Sequence, residues 1–177
     1  DETSGTTAAD SSGITHDGTI ENYPADPWLE NDGVIGGALD CDGTDDFVRA
    51  ADFIDDEEEL SVSLWYYVDN FPADNIDLLN QTYDTGYQNV FSVNYTNASG
   101  DLNFQIRDEF NTTSTASIPA AQVLTGEWVH IVGTYSNATD TMKIYMNGVE
   151  IDSATQNGLL GASSNIITLC GKWANGT

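Results

Sequence analysis

The stretch of sequence that first suggests chemistry is GEWVHIVGTY, residues 126–135, which carries Trp128, His130 and Tyr135. Histidine often serves as a general acid, a general base or a metal ligand because its pKa lies near neutrality. Such work needs partners, and the sequence has no Ser-His-Asp set, no phosphate-binding glycine loop and no zinc-ligand spacing. We therefore expect His130 to be a packed, hydrogen-bonded scaffold residue, with contact to a ligand as the alternative.

Clustered aspartates are the second chemical signal. The stretches DSSGITHDG, residues 10–18, and DCDGTDD, residues 40–46, are both loop-like and rich in aspartate. Carboxylate and backbone carbonyl oxygens are the ligands that calcium prefers. These loops predict a calcium site with Asp10, Asp17, Asp42 and Asp45 as ligands. The alternative is chance clustering, because the whole chain is acidic.

Asparagine followed two residues later by serine or threonine marks an acceptor for N-glycosylation, which must lie on an exposed surface. Several of these triplets fall in predicted turns, so we expect at least some to carry glycans. Enrichment of Asn and Thr in loops is the alternative explanation. The candidate acceptors are Asn80, Asn94, Asn97, Asn111, Asn137 and Asn175.

The charge balance excludes some partners. The chain has 29 acidic and four basic residues, a formal net charge of −25. Phosphate recognition needs clustered Lys and Arg, so nucleic acid is excluded, and anionic membranes are disfavoured. The near absence of Lys favours a protein from a high-salt habitat, where screening removes the self-repulsion. An ordinary acidic secreted protein is the alternative. No apolar stretch is long enough for a membrane helix, so we expect no membrane insertion by this segment.

The elements that position these residues are predicted to be strands. Residues 60–68 alternate, with Leu60, Val62, Leu64, Tyr66 and Val68 on one face. Asn147-Gly148 between two strand-like runs predicts a type I′ hairpin. Short strands separated by Gly, Asn, Asp, Ser and Thr clusters are typical of an all-β sandwich. The other predicted strands are 89–93, 102–107, 128–135, 142–146, 149–154 and 166–170.

Several stretches, taken in order, resemble laminin-G-like jelly rolls of the concanavalin A-like lectin/glucanase superfamily. This resemblance implies an all-β, two-sheet antiparallel jelly-roll sandwich formed by a single domain, 1–177, with 1–33 as a wrapping loop region and 34–177 as the sandwich body. The first and last strands of the family pattern are absent, so we expect the chain to be part of a longer one. The stretches are DETSGTTAADSSGITHDGTI, GGALDCDGTDDFVRA, LSVSLWYYV, GEWVHIVGTYSNATDTMKIYMNGVEI and ITLCGK.

The resemblance also bears on the cysteines and on catalysis. Cys41 and Cys170 replace inward-facing apolar residues of the family pattern, which predicts a disulfide between them; two buried thiols are the alternative. Glycoside hydrolases of the superfamily carry Glu-x-Asp-x-x-Glu on one strand, and this motif is absent. Glu57, Glu58 and Glu59 are adjacent and cannot share one face of a strand. We therefore expect no enzyme activity.

These observations predict a non-catalytic extracellular module for adhesion or structural assembly, on the surface of a halophile or its virus. Its partners would be glycans or neighbouring surface subunits, including copies of itself in a homopolymer. The alternative is a carbohydrate-binding lectin-like domain, with or without calcium, and a degenerate glycoside hydrolase comes third. A sugar site needs exposed aromatics beside polar groups. The candidates are Trp65, Tyr67 and Trp173, although packing beneath loops is the simpler expectation for Trp65 and Tyr67.

Overall fold

The computed structural model describes residues 2, 4–23, 27–42, 44–51, 54, 56–82, 89–162 and 166–170. Within these residues the structure is built from short and medium strands, with one turn of 3-10 helix at Asn137–Thr139. The strands are β1 Thr7–Ala8, β2 Gly18–Glu21, β3 Trp28–Leu29, β4 Ala38–Leu39, β5 Phe47–Ala50, β6 Glu59–Tyr66, β7 Ile76–Thr82, β8 Asn89–Thr96, β9 Asp101–Arg107, β10 Thr113–Ile118, β11 Val129–Ser136, β12 Thr141–Met146, β13 Val149–Thr155 and β14 Ile167–Leu169.

The strands form two main sheets and a small hairpin. The larger sheet has the order β1-β2-β5-β14-β7-β8-β9-β10, and the smaller has the order β13-β12-β11-β6. β3 and β4 pair with each other, and all strand pairs are antiparallel. β6 pairs with β11 along one edge, and no described strand pairs with its other edge. The predicted all-β antiparallel sandwich is confirmed.

The core lies between the two sheets. Burial alternates strictly along β11, where Val129, Ile131 and Tyr135 face inward. Gly133 lies under the Phe104 ring from the opposite sheet, and a Cβ there would come within 2.6 Å of that ring. Because Gly133 has no side chain, the Phe104 ring packs directly against the backbone of β11 at this point. Other fully buried core residues are Phe91, Val93, Leu102, Ile106, Ala116, Ile118, Met142 and Ile144.

The local predictions hold where alternation is strong. Asn147 and Gly148 have φ of 50° and 80° and join β12 to β13, which confirms the predicted hairpin. Polar residues occupy much of β7 and β10, and neither strand was predicted. Residues 1–33 were predicted to form a loop, but β1, β2 and β3 lie there, and β1 and β2 extend the larger sheet through the pairing of β2 with β5.

The predicted disulfide between Cys41 and Cys170 is confirmed. The two Cα atoms lie 6.3 Å apart, and the bond joins positions 129 residues apart in sequence. It connects the segment after β4 to the residue after β14, and so fastens the N-terminal third of the chain to the larger sheet. In the part of the chain that the structure describes, no helix has the length and apolar character needed to cross a membrane.

Candidate functional site

The outer surface of the smaller sheet carries a group of aromatic side chains, Trp65, Tyr67, Trp128 and His130, here called the aromatic face. Trp65 on β6 is the cross-strand partner of His130 on β11. Their rings stack, with centroids 4.7 Å apart and planes inclined by 22°. Trp65 is 45% exposed and Tyr67 is 49% exposed. The expectation that they pack beneath loops is therefore wrong.

Hydrogen bonds and ring contacts orient the aromatic face. Nε2 of His130 and Oγ of Ser63 are hydrogen-bonded at 2.8 Å. The indole nitrogen of Trp128 donates to the Asp32 carbonyl at 3.1 Å, and Tyr67 packs edge-on against the Trp128 ring. His130 is thus stacked and hydrogen-bonded, as expected of a scaffold residue, although it lies at an accessible surface. Trp173, the third predicted aromatic, lies outside the described residues.

Orientation matters because an exposed ring already held in place loses little rotational freedom when a ligand covers it. The aromatic face offers apolar ring surfaces next to hydroxyl and imidazole groups. This combination suits ligands with both apolar C–H faces and hydroxyl groups, or a polar protein surface with apolar anchors.

A second candidate site is the loop that leads into β5. Oxygen atoms of Asp42, Asp45 and Asp46 lie within 4.8 Å of one another. Calcium binds oxygens at about 2.3–2.6 Å, so oxygens about this far apart can share one ion. Asp46 is only 2% exposed. Its Oδ2 accepts the Asp42 backbone N–H at 2.8 Å, while its Oδ1 is buried without a hydrogen-bond partner.

The electrostatics of this acidic loop favour a cation. Burial raises the pKa of Asp46, and the neighbouring charges of Asp42 and Asp45 raise it further. A buried carboxylate without compensation is costly, and a divalent cation would supply that compensation. Asp42 and Asp45 were predicted as ligands and are brought together. Asp46 was missed, since the burial of its side chain in the loop just before β5 depends on the tertiary fold.

The other two predicted calcium ligands lie in a separate turn. The Asp10 carboxylate accepts hydrogen bonds from the Ser12 backbone, the Ser12 hydroxyl and the His16 backbone. These bonds lower the pKa of Asp10 to about 2, led by the His16 backbone N–H. Asp17 in turn accepts the Asp10 N–H at 2.8 Å. Both carboxylates stabilise the turn, and neither belongs to the group formed by Asp42, Asp45 and Asp46.

A third feature is a polar cavity of about 380 Å³ on the outer surface of the larger sheet. Burial raises the pKa of Asp77, one of its lining residues, to about 6, while a hydrogen bond with Asn80 acts in the opposite direction. This cavity had no signal in the sequence, because its residues come from separate strands. It is lined by Asn75, Asp77, Asn89, Asn94, Thr96 and Gln105.

The predicted glycosylation acceptors differ in accessibility. Asn80 is 1% exposed and Asn94 is 8% exposed, and both side chains are hydrogen-bonded within the larger sheet. A glycan on either would require loss of these contacts. Asn97 and Asn111 are exposed, and Asn137 is half-buried. Asn175 lies outside the described residues.

Two antiparallel sheets packed around a shared apolar core have the architecture of a jelly-roll sandwich. Residues 42–177 match the laminin G-type model of the concanavalin A-like lectin/glucanases superfamily. The chain belongs to this superfamily, as its sequence motifs predicted.

Solved structures show the same fold at low sequence identity. The binding domain of botulinum neurotoxin serotype G aligns with a TM-score of 0.67 and 13% identity, over 90% of this chain and 40% of that one. The binding domain of botulinum neurotoxin DC in complex with SialylT gives 0.57 and 19%, over 91% and 39%. Domains LG4-5 of mouse laminin alpha1 give 0.53 and 16%, over 72% and 32%.

The chain therefore spans less than half the length of each of these structures. No curated protein matches its sequence.

Proposed function

We propose that this domain is a non-catalytic extracellular adhesion module that binds glycans through the aromatic face. The observation that carries the proposal is the exposed Trp65 ring, which is stacked on the His130 ring, with the exposed Tyr67 two residues further along the chain. Sugar rings present apolar C–H faces that pack on such aromatic surfaces, while their hydroxyl groups bind neighbouring polar side chains. The complex of one structural neighbour with SialylT supports a glycan ligand.

The proposed location agrees with the covalent structure. Disulfides persist in oxidising compartments and are rare in the cytosol of most organisms, which favours a cell or virion surface. Exposed glycosylation acceptors at Asn97 and Asn111 agree with the same location. The high negative charge favours a halophilic source.

A glycan array probed with the wild-type protein, with and without calcium, tests this proposal. Trp65→Ala removes the stacking surface without touching the core, so we expect it to lose array binding by at least about tenfold, as aromatic anchors commonly do. Val149→Ala removes another exposed apolar side chain on the same sheet and serves as the matched control.

Equal binding by wild type and Trp65→Ala would contradict the glycan proposal. Absence of glycan binding together with self-association that requires Trp65 would instead support the structural-assembly alternative, in which the aromatic face contacts a neighbouring subunit.

We also propose that the Asp42, Asp45 and Asp46 group holds a calcium ion that stabilises the loop before β5. The buried, unpartnered Oδ1 of Asp46 carries this proposal. Three carboxylates would supply hard oxygen ligands, with backbone carbonyls and water completing the coordination. The expected role is structural, since the ion would neutralise a buried charge.

If this group binds calcium, the melting temperature of the protein should rise when calcium is added, because a ligand that binds only the folded state stabilises it. Asp46→Asn should abolish the rise, whereas Asp17→Asn in the separate turn should retain it. Differential scanning calorimetry with calcium, with magnesium and with a chelator measures the effect. A rise of the same size in Asp46→Asn, or from magnesium alone, would contradict a specific site.

A further inference from the structure

β6 leaves one edge of the smaller sheet without a described partner strand. The Asn137 N–H donates to the Glu58 carbonyl at 2.8 Å, in the same register that pairs β11 with β6. Opposed residues of an antiparallel pair alternate between hydrogen-bonded and non-bonded positions, so the even-numbered residues of β6 bond to β11. The backbone N–H and C=O groups that point to the free edge are those of Glu59, Ser61, Ser63 and Trp65.

The other described edges of the main sheets are short or protected. On β10, the Ser117 N–H donates to the Asp152 carboxylate of β13 at 2.9 Å. β13 carries the exposed charges of Glu150 and Asp152 and a register shift in its pairing with β12, and β1 is only two residues long. Natural sheets use such devices to prevent pairing with other chains. β6 has eight residues, and Glu59 at its start is the only charged one.

The apolar core is incompletely covered beside this edge. Leu60 and Leu64 face inward on β6 but are only half-buried, whereas the inward residues of the neighbouring β11 are buried. In the larger sheet, Leu169 lies on the inner side, because it pairs with Leu79, the cross-strand partner of the buried Val93. Leu169 is nevertheless 38% exposed. One more strand beside β6 would therefore bury apolar surface as well as bind the free backbone groups.

The unequal widths of the two sheets restrict what can pair with β6. β10 packs over β12 and β13, and β9 packs over β12, so the two sheets begin together on that side. The larger sheet then continues through six more strands, whereas the smaller has only β11 and β6. Pairing of two β6 edges would bring two larger sheets into the same space, so a second copy of the domain fits poorly. A single extended segment fits, because it needs only the width of one strand.

The charge beside the edge defines the partner further. Residues 56–59 form an acidic run at the start of β6, and Glu57 and Glu58 are exposed. An antiparallel partner strand would end next to this run, so Lys or Arg after its last strand residue would face the two carboxylates. Alternate apolar side chains on its inner side would cover Leu60 and Leu64.

We propose that the free edge of β6 binds one extended segment of a partner protein by β-strand addition. The segment runs antiparallel to β6, alternates apolar and polar residues, and carries basic residues after the strand. Hydrogen bonds to the backbone of Ser61, Ser63 and Trp65 supply affinity, and the half-buried leucines select the alternation. This inference goes beyond the proposed function, because it concerns the backbone edge of β6 and holds whether or not the aromatic face binds glycans.

The test uses a fluorescein-labelled synthetic peptide of alternating valine and threonine followed by a short run of lysines, and measures its binding by fluorescence anisotropy. Saturable binding is expected. The same peptide N-methylated on the residues that face β6 should bind at least about tenfold more weakly, because it loses several backbone hydrogen bonds. A peptide of the same composition with all its valines adjacent should also bind more weakly, because it lacks the alternation.

Two pairs of protein variants locate the site. Ser61→Pro removes an outward N–H that β11 does not use, and proline is tolerated at such edge positions. It should weaken binding at least about tenfold, because proline also prevents continuous pairing, whereas Ser61→Ala keeps the N–H and should bind like wild type. Glu58→Gln should weaken binding several-fold, and Asp17→Asn, an equal change of charge in the separate turn before β2, should not. The N-methylated peptide covers the case in which Ser61→Pro fails to fold.

Absence of saturable binding, or equal affinity of the N-methylated and unmodified peptides, would overturn the proposal. Hydrogen exchange followed by NMR provides a further check, since the amides of Ser61, Ser63 and Trp65 should be protected only when the peptide is bound. Protection without peptide would also overturn the proposal, because a second copy or another segment of the same chain would then already occupy the edge.

Discussion

At the scale of single residues, the local environment sets the pKa of each carboxylate. Asp10 is surrounded by N–H and O–H donors, which lower its pKa to about 2, whereas burial raises the pKa of Asp77 to about 6. Asp46 is buried among like charges, and its pKa is raised as well. In a chain with 29 acidic residues, only the local environment separates a turn-forming aspartate such as Asp10 from a buried one such as Asp46.

Asp77 makes a prediction about pH. Its pKa in the folded protein, about 6, exceeds the ordinary value of 3.8. The folded state therefore holds the proton more tightly, and its stability falls as pH rises from about 4 through 6. Two pKa units correspond to about 3 kcal/mol. Asp77→Asn should raise the melting temperature at pH 7 and change it little at pH 4.

Calorimetry at both pH values checks this expectation. Glu30→Gln, an exposed carboxylate changed to its amide, controls for the loss of one negative charge. If Asp77→Asn shifted the melting temperature equally at pH 4 and pH 7, burial of the ionised carboxylate would not be the cause.

At the scale of elements, the contact of Gly133 with Phe104 determines how closely the two sheets pack. β11 is the central strand that joins β12 to β6, so the position of its glycine sets the separation of the layers at that point. Protein interiors are close-packed, and an added methyl group must displace a neighbour. The Phe104 ring is fully buried and has little room to move.

Gly133→Ala should therefore destabilise the domain by about 1–3 kcal/mol, the usual range for overpacking. Urea unfolding followed by tryptophan fluorescence measures the change. Thr134→Ala, at the next residue and on the opposite face of β11, should shift stability by no more than about 0.5 kcal/mol. Unchanged stability in Gly133→Ala would mean that the sheets can separate at little cost.

At the scale of the whole molecule, charge is the dominant property. A net charge of −25 on 177 residues opposes compaction at low ionic strength. Ion pairs relieve little of this repulsion, since the chain has only four basic side chains. Two of them, Arg49 and Lys143, bind Glu21 and Glu150 at 2.8 Å.

The melting temperature should therefore climb steeply between dilute buffer and molar sodium chloride, where the Debye length falls to about 3 Å. Sucrose at matched osmolality provides the control, since it stabilises proteins without screening charge. A melting temperature that does not change with salt concentration would indicate an ordinary acidic secreted protein.

The sequence by itself determined the sandwich, because alternation, the Asn147-Gly148 turn and the spacing of family motifs are all local signals. The alternation of residues 60–68 also placed Trp65 opposite the core-facing side of β6, since side-chain direction follows directly from strand parity. The disulfide followed from the family resemblance, which assigned Cys41 and Cys170 to inward positions.

Only the tertiary structure decided which of these residues are exposed and which lie close together. Trp65 is accessible because no described segment covers it, and this exposure could not be predicted from the sequence. Asp46 is buried while Asp42 is exposed, although both lie in one loop. The cavity at Asp77 unites residues of β7, β8 and β9, whose alignment depends on pairing register across the sheet. Whether a side chain is exposed, and which side chains lie together, depends on contacts between segments distant in sequence. Local sequence patterns do not encode these contacts.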